Sequence, residues 1–266
     1  HLGHVAGNCL PADIQYKYER MRGRRVLMLS GSDEHGTPIT VTADETGKSP
    51  QAVVDENHDA IFASLVKLGC SWGQTLDRRG VEFGGALYGR TSDPRHHELV
   101  QDILLELHEN GFLIQETMEQ FCSIADDGGI KFLPDRYVQG VCPACSAEGA
   151  RGDQCDACGA TYEANELKDP VSKLNPEIPV EIRETDHLFF RLDLLQDDLE
   201  THAASRRSTW KPNVRAMTQN WLNMGLRPRA VTRDIEWGVK IPLDDEVWGE
   251  KRVYVWFDAV QGYLTC

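Results

Sequence analysis

The sequence has 266 residues, of which 41% are hydrophobic, so it is long enough to bury one large core or two smaller ones. A formal net charge of -14 argues against a protein that binds nucleic acid indiscriminately through a positive surface. The longest apolar runs, such as VLML and VYVWF, are far shorter than the roughly 20 residues that cross a bilayer. The composition therefore indicates a globular protein without a membrane partner.

Both ends of the sequence lack the features of a complete chain. It begins with HLGHVAGN, without an initiator methionine or a secretory leader, and stops at YVWFDAVQGYLTC without a polar tail. We therefore expect a piece of a longer cytoplasmic chain that is cut at both ends.

The first hundred residues alternate helical and strand patterns. Apolar residues at helical spacing predict a helix over 2–21, and the buried-type run RVLMLS at 25–30 predicts a parallel strand. Ser49 with Pro50 predicts the start of a second helix, which stops at Gly69. Pro94, after Ser92 and Asp93, starts a third helix that stops at Gly111. With a strand expected at FLIQ after Gly111, these elements predict a doubly wound, Rossmann-like α/β sheet.

This pattern breaks at about residue 115 and returns near residue 231. The stretch between carries cysteine pairs, aromatic residues and proline-bounded pieces, which indicate an inserted module. The β-branched run RVYVWF at 252–257 predicts a return to the sheet. We expect three parts: residues 1–114 as the first half of the Rossmann-like domain, 115–230 as an inserted connective domain with a zinc knuckle, and 231–266 as the start of the second half.

Four of the eight cysteines are clustered as two CxxC pairs. Two such pairs suit one tetrahedral zinc ion, whose coordination sphere they fill, so the ion is expected to be structural and not catalytic. Two disulfides or four free thiols are the alternatives. The predicted ligands are Cys142, Cys145, Cys155 and Cys158.

The first four residues and the loop after the first strand offer polar groups for a ligand. In HLGH, His1 and His4 share a helix face with Gly3 between them, which suits a polyphosphate at a helix N-terminus. Solvent-facing histidines or a second metal site are the alternatives. GSDEHGTPI, residues 31–39, follows the first strand directly, where α/β folds bring ligands to the carboxyl end of the sheet.

These motifs together resemble the class I aminoacyl-tRNA synthetases, and among them the methionyl family. The resemblance rests on HLGH and SGSDEHGTPI, on FLPDRYVQGVCPAC and GDQCDACGATY at 132–162, on VTRDIEWG at 231–238, and on YVWFDAVQGY at 254–263. It covers essentially the whole chain. Relatives for isoleucine, valine and leucine share the first motif but lack this zinc knuckle followed by an RD-x-x-WG segment.

The resemblance implies a role for several residues. His1 and His4 would bind the phosphates of ATP, with Gly3 against the adenine. Asp33 would hold the ammonium of the amino acid, and Arg233 the phosphate under attack. A methionine pocket would be lined by Trp256, Ala259 and Tyr263.

The resemblance also implies the reaction and the partners. Methionine and ATP would form methionyl-adenylate, and tRNA(Met) would then take the methionyl group. Magnesium would accompany the ATP, and one zinc ion the cysteines. The strand that precedes HLGH in the family, the KMSKS loop and the anticodon-binding domain are missing, so we expect residues 1–266 alone to be inactive. Sequence does not fix the oligomeric state.

Two other readings remain open at this point. One is a synthetase for another apolar amino acid. The other is a non-catalytic zinc-knuckle protein that binds nucleic acid, which the acidic charge balance and the pairing of HLGH with SDEHG disfavour.

Overall fold

A computed structural model of the chain describes residues 2–73, 84–124, 130–133, 137–151, 155–160, 162, 164–173 and 176–266. The chain divides into two compact units, His1–Leu107 with Ile235–Cys266, and His108–Asp234. No helix in the part of the chain that is described has the length and apolarity required to span a bilayer. The three domain bounds expected from the sequence stay a prediction.

The first unit opens with helices around a pair of parallel strands. Strand β1 pairs with β2 in a register that runs from Val26 opposite Gly84 to Ser32 opposite Arg90. Tyr16, Met28, Leu65, Cys70, Trp72 and Ala86 form a buried core there. The elements are α1 (Leu2–His4), a π-helical segment (Val5–Cys9), α2 (Leu10–Met21), β1 (Val26–Ser32), α3 (Thr37–Thr46), α4 (Pro50–Lys67), β2 (Gly84–Arg90) and α5 (Pro94–Glu109).

The helix starts predicted from serine, aspartate and proline are confirmed. The Ser49 side chain accepts a hydrogen bond from the Ala52 N–H at 3.2 Å, which satisfies one of the free amides at the start of α4. At the start of α5, the Asp93 carboxylate accepts from the Arg95 N–H at 2.9 Å. The strand predicted at 25–30 is confirmed as β1.

Strand β2 and helix α3 were not predicted from the sequence. A methyl group built on Gly31 would lie 2.7 Å from the carbonyl oxygen of Gly89 on the neighbouring strand, so the two strands meet where only glycine fits. The glycine that this approach requires is therefore Gly31 of β1, whereas a methyl group on Gly89 would lie 2.7 Å from the Cys266 sulfur.

The second unit is built on two antiparallel sheets. One sheet has the strand order β4-β3-β8-β9 and the other the order β6-β5-β7. Its elements are β3 (Leu113–Ile124), β4 (Ile130–Phe132), β5 (Val138–Val141), β6 (Ala150–Arg151), β7 (Lys168–Ser172), β8 (Val180–Phe190), α6 (Gln196–Ser205), α7 (Pro212–Met224), β9 (Arg229–Ala230) and β10 (Thr232–Arg233).

The strand predicted at FLIQ exists, but its assignment to the parallel sheet is wrong. Leu113 and its successors form β3, which pairs with β8 in antiparallel register from Leu113 opposite Phe190 to Ser123 opposite Val180. Eleven consecutive pairs make this ribbon the main support of the second unit. The short window FLIQ did not distinguish the two sheet types because both bury apolar residues.

The chain returns to the first unit with α8 (Asp245–Trp248), β11 (Arg252–Val253), α9 (Val255–Ala259) and α10 (Gly262–Thr265). The predicted strand at 252–257 is therefore wrong beyond Val253. Tyr254 has the extended backbone of a helix N-cap, with φ of -67° and ψ of 130°, and the chain is helical from Val255 onward. Tertiary packing of α9 overrides the β propensity of its residues.

Candidate functional site

The loop after β1 is anchored by the buried carboxylate of Glu34. Its oxygens accept hydrogen bonds from Ser32 Oγ at 2.5 Å and Arg90 Nε at 3.0 Å, and from the Ser92 hydroxyl. The Glu34 backbone N–H donates to Thr91 Oγ1 at 2.9 Å. Since three of these groups lie at or just after the end of β2, the carboxyl ends of both parallel strands are fixed to one side chain.

Two groups from helix α4 complete this anchor. His58 Nδ1 lies 2.7 Å from Ser32 Oγ, and Arg90 Nη2 donates to Asp55 Oδ1 at 2.6 Å. Arg90 therefore bridges the buried Glu34 carboxylate and the half-buried Asp55. The result is a loop whose position is set by charge-assisted hydrogen bonds and not by packing alone.

The next residue, His35, joins this loop to helix α9. Its Nδ1 lies 2.6 Å from Asp258 Oδ2, and both side chains are fully buried. Its Nε2 lies 3.2 Å from Nε2 of His97 on α5. The Trp237 ring meets the His35 ring edge-on, with 5.9 Å between the centroids.

Asp33 stands beside this buried pair and is itself exposed. Partial burial of the carboxyl, and then the negative charge of Asp258, raise the pKa of Asp33 to about 6. His35 acts in the opposite direction, through its charge and through its backbone N–H, which donates to the carboxylate. An accessible carboxylate is suited to a ligand that brings its own positive charge.

Helix α5 contributes two histidines with low basicity. Burial, and then the nearby His35, lower the pKa of His96 to about 4, and the same two causes lower the pKa of His97. His96 Nδ1 contacts Thr265 Oγ1 of α10 at 2.8 Å. These rings therefore serve as neutral hydrogen-bonding groups at neutral pH.

Trp256, Ala259 and Tyr263 occupy one face of the α9–α10 segment, at helical spacing of three and four residues. Trp256 and Tyr263 are each 62% exposed, and Ala259 is half-buried. Asp258, on the other side of α9, is buried against His35. The contact between His35 and Asp258 therefore connects the loop of Asp33 with the helix that carries the predicted aromatic pocket.

Of the HLGH residues, His1 lies outside the described residues. Gly3 and His4 lie in α1 and are exposed, in a helical path that continues through the π-helical segment into α2. The roles expected for His1, Gly3 and His4 in ATP binding stay a prediction.

Arg233 lies in β10 of the second unit and is half-buried. Its Nη1 donates to the backbone carbonyls of Thr232 at 2.8 Å and Ala230 at 3.2 Å. Its neighbours are fixed to the fully buried His187 of β8, whose Nδ1 lies 3.0 Å from Thr232 Oγ1 and whose Nε2 lies 3.0 Å from Asp234 Oδ2. The residues on both sides of Arg233 are thus anchored to one imidazole.

The second unit brings four cysteine sulfurs into one group. The Sγ atoms of Cys142, Cys145, Cys155 and Cys158 all lie within 4.8 Å of one another. Cys142 and Cys158 are separated by 3.9 Å between sulfurs, and Cys145 and Cys155 by 3.7 Å. Zinc–sulfur bonds of about 2.3 Å in a tetrahedron place two sulfurs about 3.8 Å apart. The sulfur spacing therefore fits a metal ion, and all eight cysteines are free of disulfides.

Each CxxC pair lies in a turn of the same form. The Cys142 N–H donates to the Ala147 carbonyl at 2.9 Å and the Ser146 N–H donates to Cys142 at 3.0 Å. In the second turn, the matching bonds run from Cys155 to Ala160 at 2.9 Å and from Gly159 to Cys155 at 2.8 Å. Ser146 and Gly159 both have positive φ, 59° and 73°, at the equivalent position. Two copies of one knuckle turn thus present the four thiols to a common point.

The sequence interpretation assigned no role to Glu34, His35, His97, Asp258 or Trp237. A signal for two of them was present, because Glu34 and His35 lie within DEHG, a run of charged residues directly after a buried strand. A carboxylate inside the apolar stretch VYVWFDAV also marked Asp258 as a group that needs a buried partner. His97 and Trp237 contact residues that are far away in the sequence, so no local sequence pattern indicated their roles.

The fold and site together define an α/β protein with polar groups gathered at the carboxyl ends of parallel strands and with a four-cysteine module in a second unit. The family described as tRNA synthetases class I (M) matches residues 1–266. The chain belongs to this family.

Proteins with the name methionine–tRNA ligase are similar over the whole chain. The chain is 46% identical to one from a Nocardioides species over 270 residues, 47% identical to one from a Roseiflexus species over 266 residues, and 44% identical to one from Thermoplasma acidophilum. It spans 42%, 42% and 45% of their lengths, less than half in each case.

Solved structures share the fold. The crystal structure of Mycobacterium tuberculosis methionyl-tRNA synthetase bound by methionyl-adenylate superimposes with a TM-score of 0.67 at 23% identity. It covers 100% of this chain, which corresponds to 44% of that protein. The doubly wound fold class with an inserted cysteine module is thereby confirmed.

Proposed function

We propose that this chain supplies part of the catalytic domain of a methionine–tRNA ligase, which activates methionine with ATP to methionyl-adenylate and transfers the methionyl group to tRNA(Met). Its family and its relatives of that name support the proposal. The single structural observation that carries it is the accessible Asp33 carboxylate, which stands next to the His35–Asp258 contact and is linked through it to the helix of Trp256.

In this proposal, Asp33 receives the ammonium group that every amino acid carries. The face formed by Trp256, Ala259 and Tyr263 selects the side chain, since aromatic rings make favourable contacts with a polarisable thioether sulfur. The first of these contacts is common to all amino acids, and the second distinguishes methionine from leucine and isoleucine.

ATP would be bound by His1, Gly3 and His4 at the start of the chain, with magnesium on its phosphates. Arg233 would stabilise the negative charge that builds up on the α-phosphate when the methionine carboxylate attacks it. Such a reaction requires no protein nucleophile, because the carboxylate is the attacking group and pyrophosphate leaves. Catalysis would therefore come from positioning and from electrostatic stabilisation of the phosphate.

The four-cysteine group would hold one zinc ion in the inserted connective domain, residues 115–230, between the two parts of the catalytic domain at 1–114 and 231–266. Four thiolates leave no open position for water, so the ion would contribute to folding and not to the chemical step. The similarity of the two sulfur distances to those of a tetrahedral site supports this assignment.

ATP–pyrophosphate exchange in the full-length protein tests the proposal. Exchange should depend on methionine, and leucine and isoleucine should support it poorly. Asp33→Ala should reduce kcat/KM for methionine by roughly a hundredfold or more, since a charge-assisted contact with the substrate is lost. Asp59→Ala, at an exposed carboxylate of α4, is the matched control and should leave exchange unchanged. Unchanged exchange in the Asp33 variant would exclude Asp33 from this role.

A further inference from the structure

A continuous chain of polar contacts runs from α9 through the loop after β1 to α5. It consists of Asp258 Oδ2, His35 Nδ1 at 2.6 Å, His35 Nε2, and His97 Nε2 at 3.2 Å. The side chains of His35 and Asp258 have no exposed surface. The His35–Asp258 contact is buried and the His35–His97 contact is partly buried, and together they connect three separate elements, so the hydrogens at these atoms follow from the donors and acceptors that the protein supplies.

The number of protons held by the His35–Asp258 pair follows from the hydrogen bonds of His97. We assign His97 Nε2 as the acceptor toward His35, because the backbone of Thr91 raises the pKa of His97 through a hydrogen bond, as it does when the other ring nitrogen donates to a carbonyl. His35 Nε2 therefore carries a hydrogen. The short contact between His35 Nδ1 and Asp258 requires a second hydrogen between those two atoms. With two protons, the His35–Asp258 pair has no net charge.

The neutrality of the His35–Asp258 pair affects the pKa of Asp33. The charge of Asp258 raises the pKa of Asp33, and His35 lowers it. If His35 could not balance Asp258, the second carboxylate would favour the protonated form of Asp33, which cannot form an ion pair with an ammonium group. The other charged groups nearby are arranged differently, since Glu34 is paired with Arg90, and His96 and His97 are neutral at neutral pH.

We propose that His35 and Asp258 are positioning residues of the amino-acid site. The pair joins the loop that carries Asp33 to the helix that carries Trp256 and Ala259, and its neutrality leaves Asp33 as the carboxylate whose charge meets the substrate ammonium. This inference rests on the proposed function, because it assigns the ammonium of methionine as the ligand of Asp33.

The test compares three variants of the full-length protein by ATP–pyrophosphate exchange across pH 5 to 9. His35→Asn keeps an amide donor near the Nδ1 position but cannot carry a positive charge. It leaves Asp258 unbalanced, so the acid limb of kcat/KM for methionine moves to higher pH and the KM for methionine at pH 7 rises by roughly tenfold. The KM for ATP stays within about twofold, because ATP does not contact this pair.

The other two variants separate charge from shape. Asp258→Asn keeps the acceptor oxygen and lets His35 become neutral, so its acid limb stays near that of the native protein. His35→Asn with Asp258→Asn removes both charges, so the acid limb returns from its raised position. An acid limb that stays high in the double variant overturns the charge argument. Equal increases in the KM values of methionine and ATP show a general structural defect and overturn the positioning role.

A second measurement works without the reaction. In ¹⁵N NMR of histidine-labelled full-length protein at pH 7, the Nε2 of His35 should carry a hydrogen, and an Nε2 without one overturns the inference. If native protein shows no methionine-dependent exchange while His35 keeps this proton, the proposed function fails and the proton count stands.

Discussion

The Trp237 indole N–H donates a hydrogen bond to the backbone carbonyl of Glu34 at 2.7 Å. Trp237 belongs to the segment VTRDIEWG, and Glu34 to the loop after β1, more than two hundred residues earlier in the chain. The same indole lies edge-on to His35. Trp237 therefore adds a backbone hydrogen bond to the loop that presents Asp33, besides the contacts of the Glu34 carboxylate.

Replacing Trp237 with Phe tests this support. The ring is kept and only the donor is lost, which leaves the Glu34 carbonyl without its partner at a buried residue. We expect the free energy of unfolding to fall by about 1–3 kcal/mol, as measured by urea denaturation. Trp221→Phe, at a ring that is 46% exposed, is the matched control and should change it by about 0.5 kcal/mol or less. Equal stability of the two variants would show that the Trp237 bond contributes nothing.

The raised pKa of Asp33 predicts an acid limb in methionine activation. Burial and the charge of Asp258 raise this pKa to about 6. Because the ionised carboxylate binds the ammonium, kcat/KM for methionine should be constant above that pH and fall about tenfold per pH unit well below it. Asp33→Asn should remove this limb along with most of the activity. A profile that is flat down to pH 5 in the native protein would contradict the assignment.

Local patterns in the sequence predicted the three helices over 2–21, 50–69 and 94–111 and the strand β1, because their determinants lie within a few residues. Ser49 with Pro50, and Asp93 with Pro94, start helices by satisfying amides in the first turn. Strand β2 was missed because three glycines in GGALYGR weaken its strand pattern, and because its contact with β1 joins residues far apart in sequence. Propensity could not show this contact.

The candidate site was predictable only where a residue type already implied chemistry. The spacing of the cysteines predicted the four-cysteine group, and the four sulfur atoms do lie close together. RVYVWF was misread because the burial of Asp258 against His35 turns the chain into helix α9, which exposes Trp256 on the opposite side. The sequence contained both residues, but only the fold shows that they are partners.

The setting of Arg233 predicts a role for the hydroxyl of Thr232. Thr232 Oγ1 accepts from the Leu188 N–H at 3.0 Å and lies 3.0 Å from His187 Nδ1, inside a fully buried site. Thr232→Val keeps the shape and removes the hydroxyl, so we expect a loss of about 1–3 kcal/mol in the free energy of unfolding. If Arg233 contacts the phosphate, kcat in pyrophosphate exchange should also fall, with little change in the KM for methionine.

Thr232→Ser is the control for this prediction, because serine keeps the hydroxyl that faces His187. Its kcat and stability should lie close to those of the native protein. If the valine and serine variants behave alike in both measurements, the hydroxyl does not position Arg233. Should only stability differ between them, the network supports the fold and has no effect on the phosphate step.

The four-cysteine group predicts that the folding of the second unit depends on a bound zinc ion. Cys155 and Cys122 are matched for a comparison, since both lie in the second unit and are 1% and 0% exposed, but only Cys155 belongs to the group. Cys155→Ala should lose zinc, measured per chain by elemental analysis of the full-length protein, whereas Cys122→Ala should retain it.

The free energy of metal binding contributes strongly to folding. The loss of zinc should therefore also raise hydrogen exchange across β5 and β7, which flank the knuckle turns. The Cys122 variant should show only the smaller effect of a cavity, about 1–2 kcal/mol, on overall stability. Equal zinc content in the two variants would contradict a four-sulfur site.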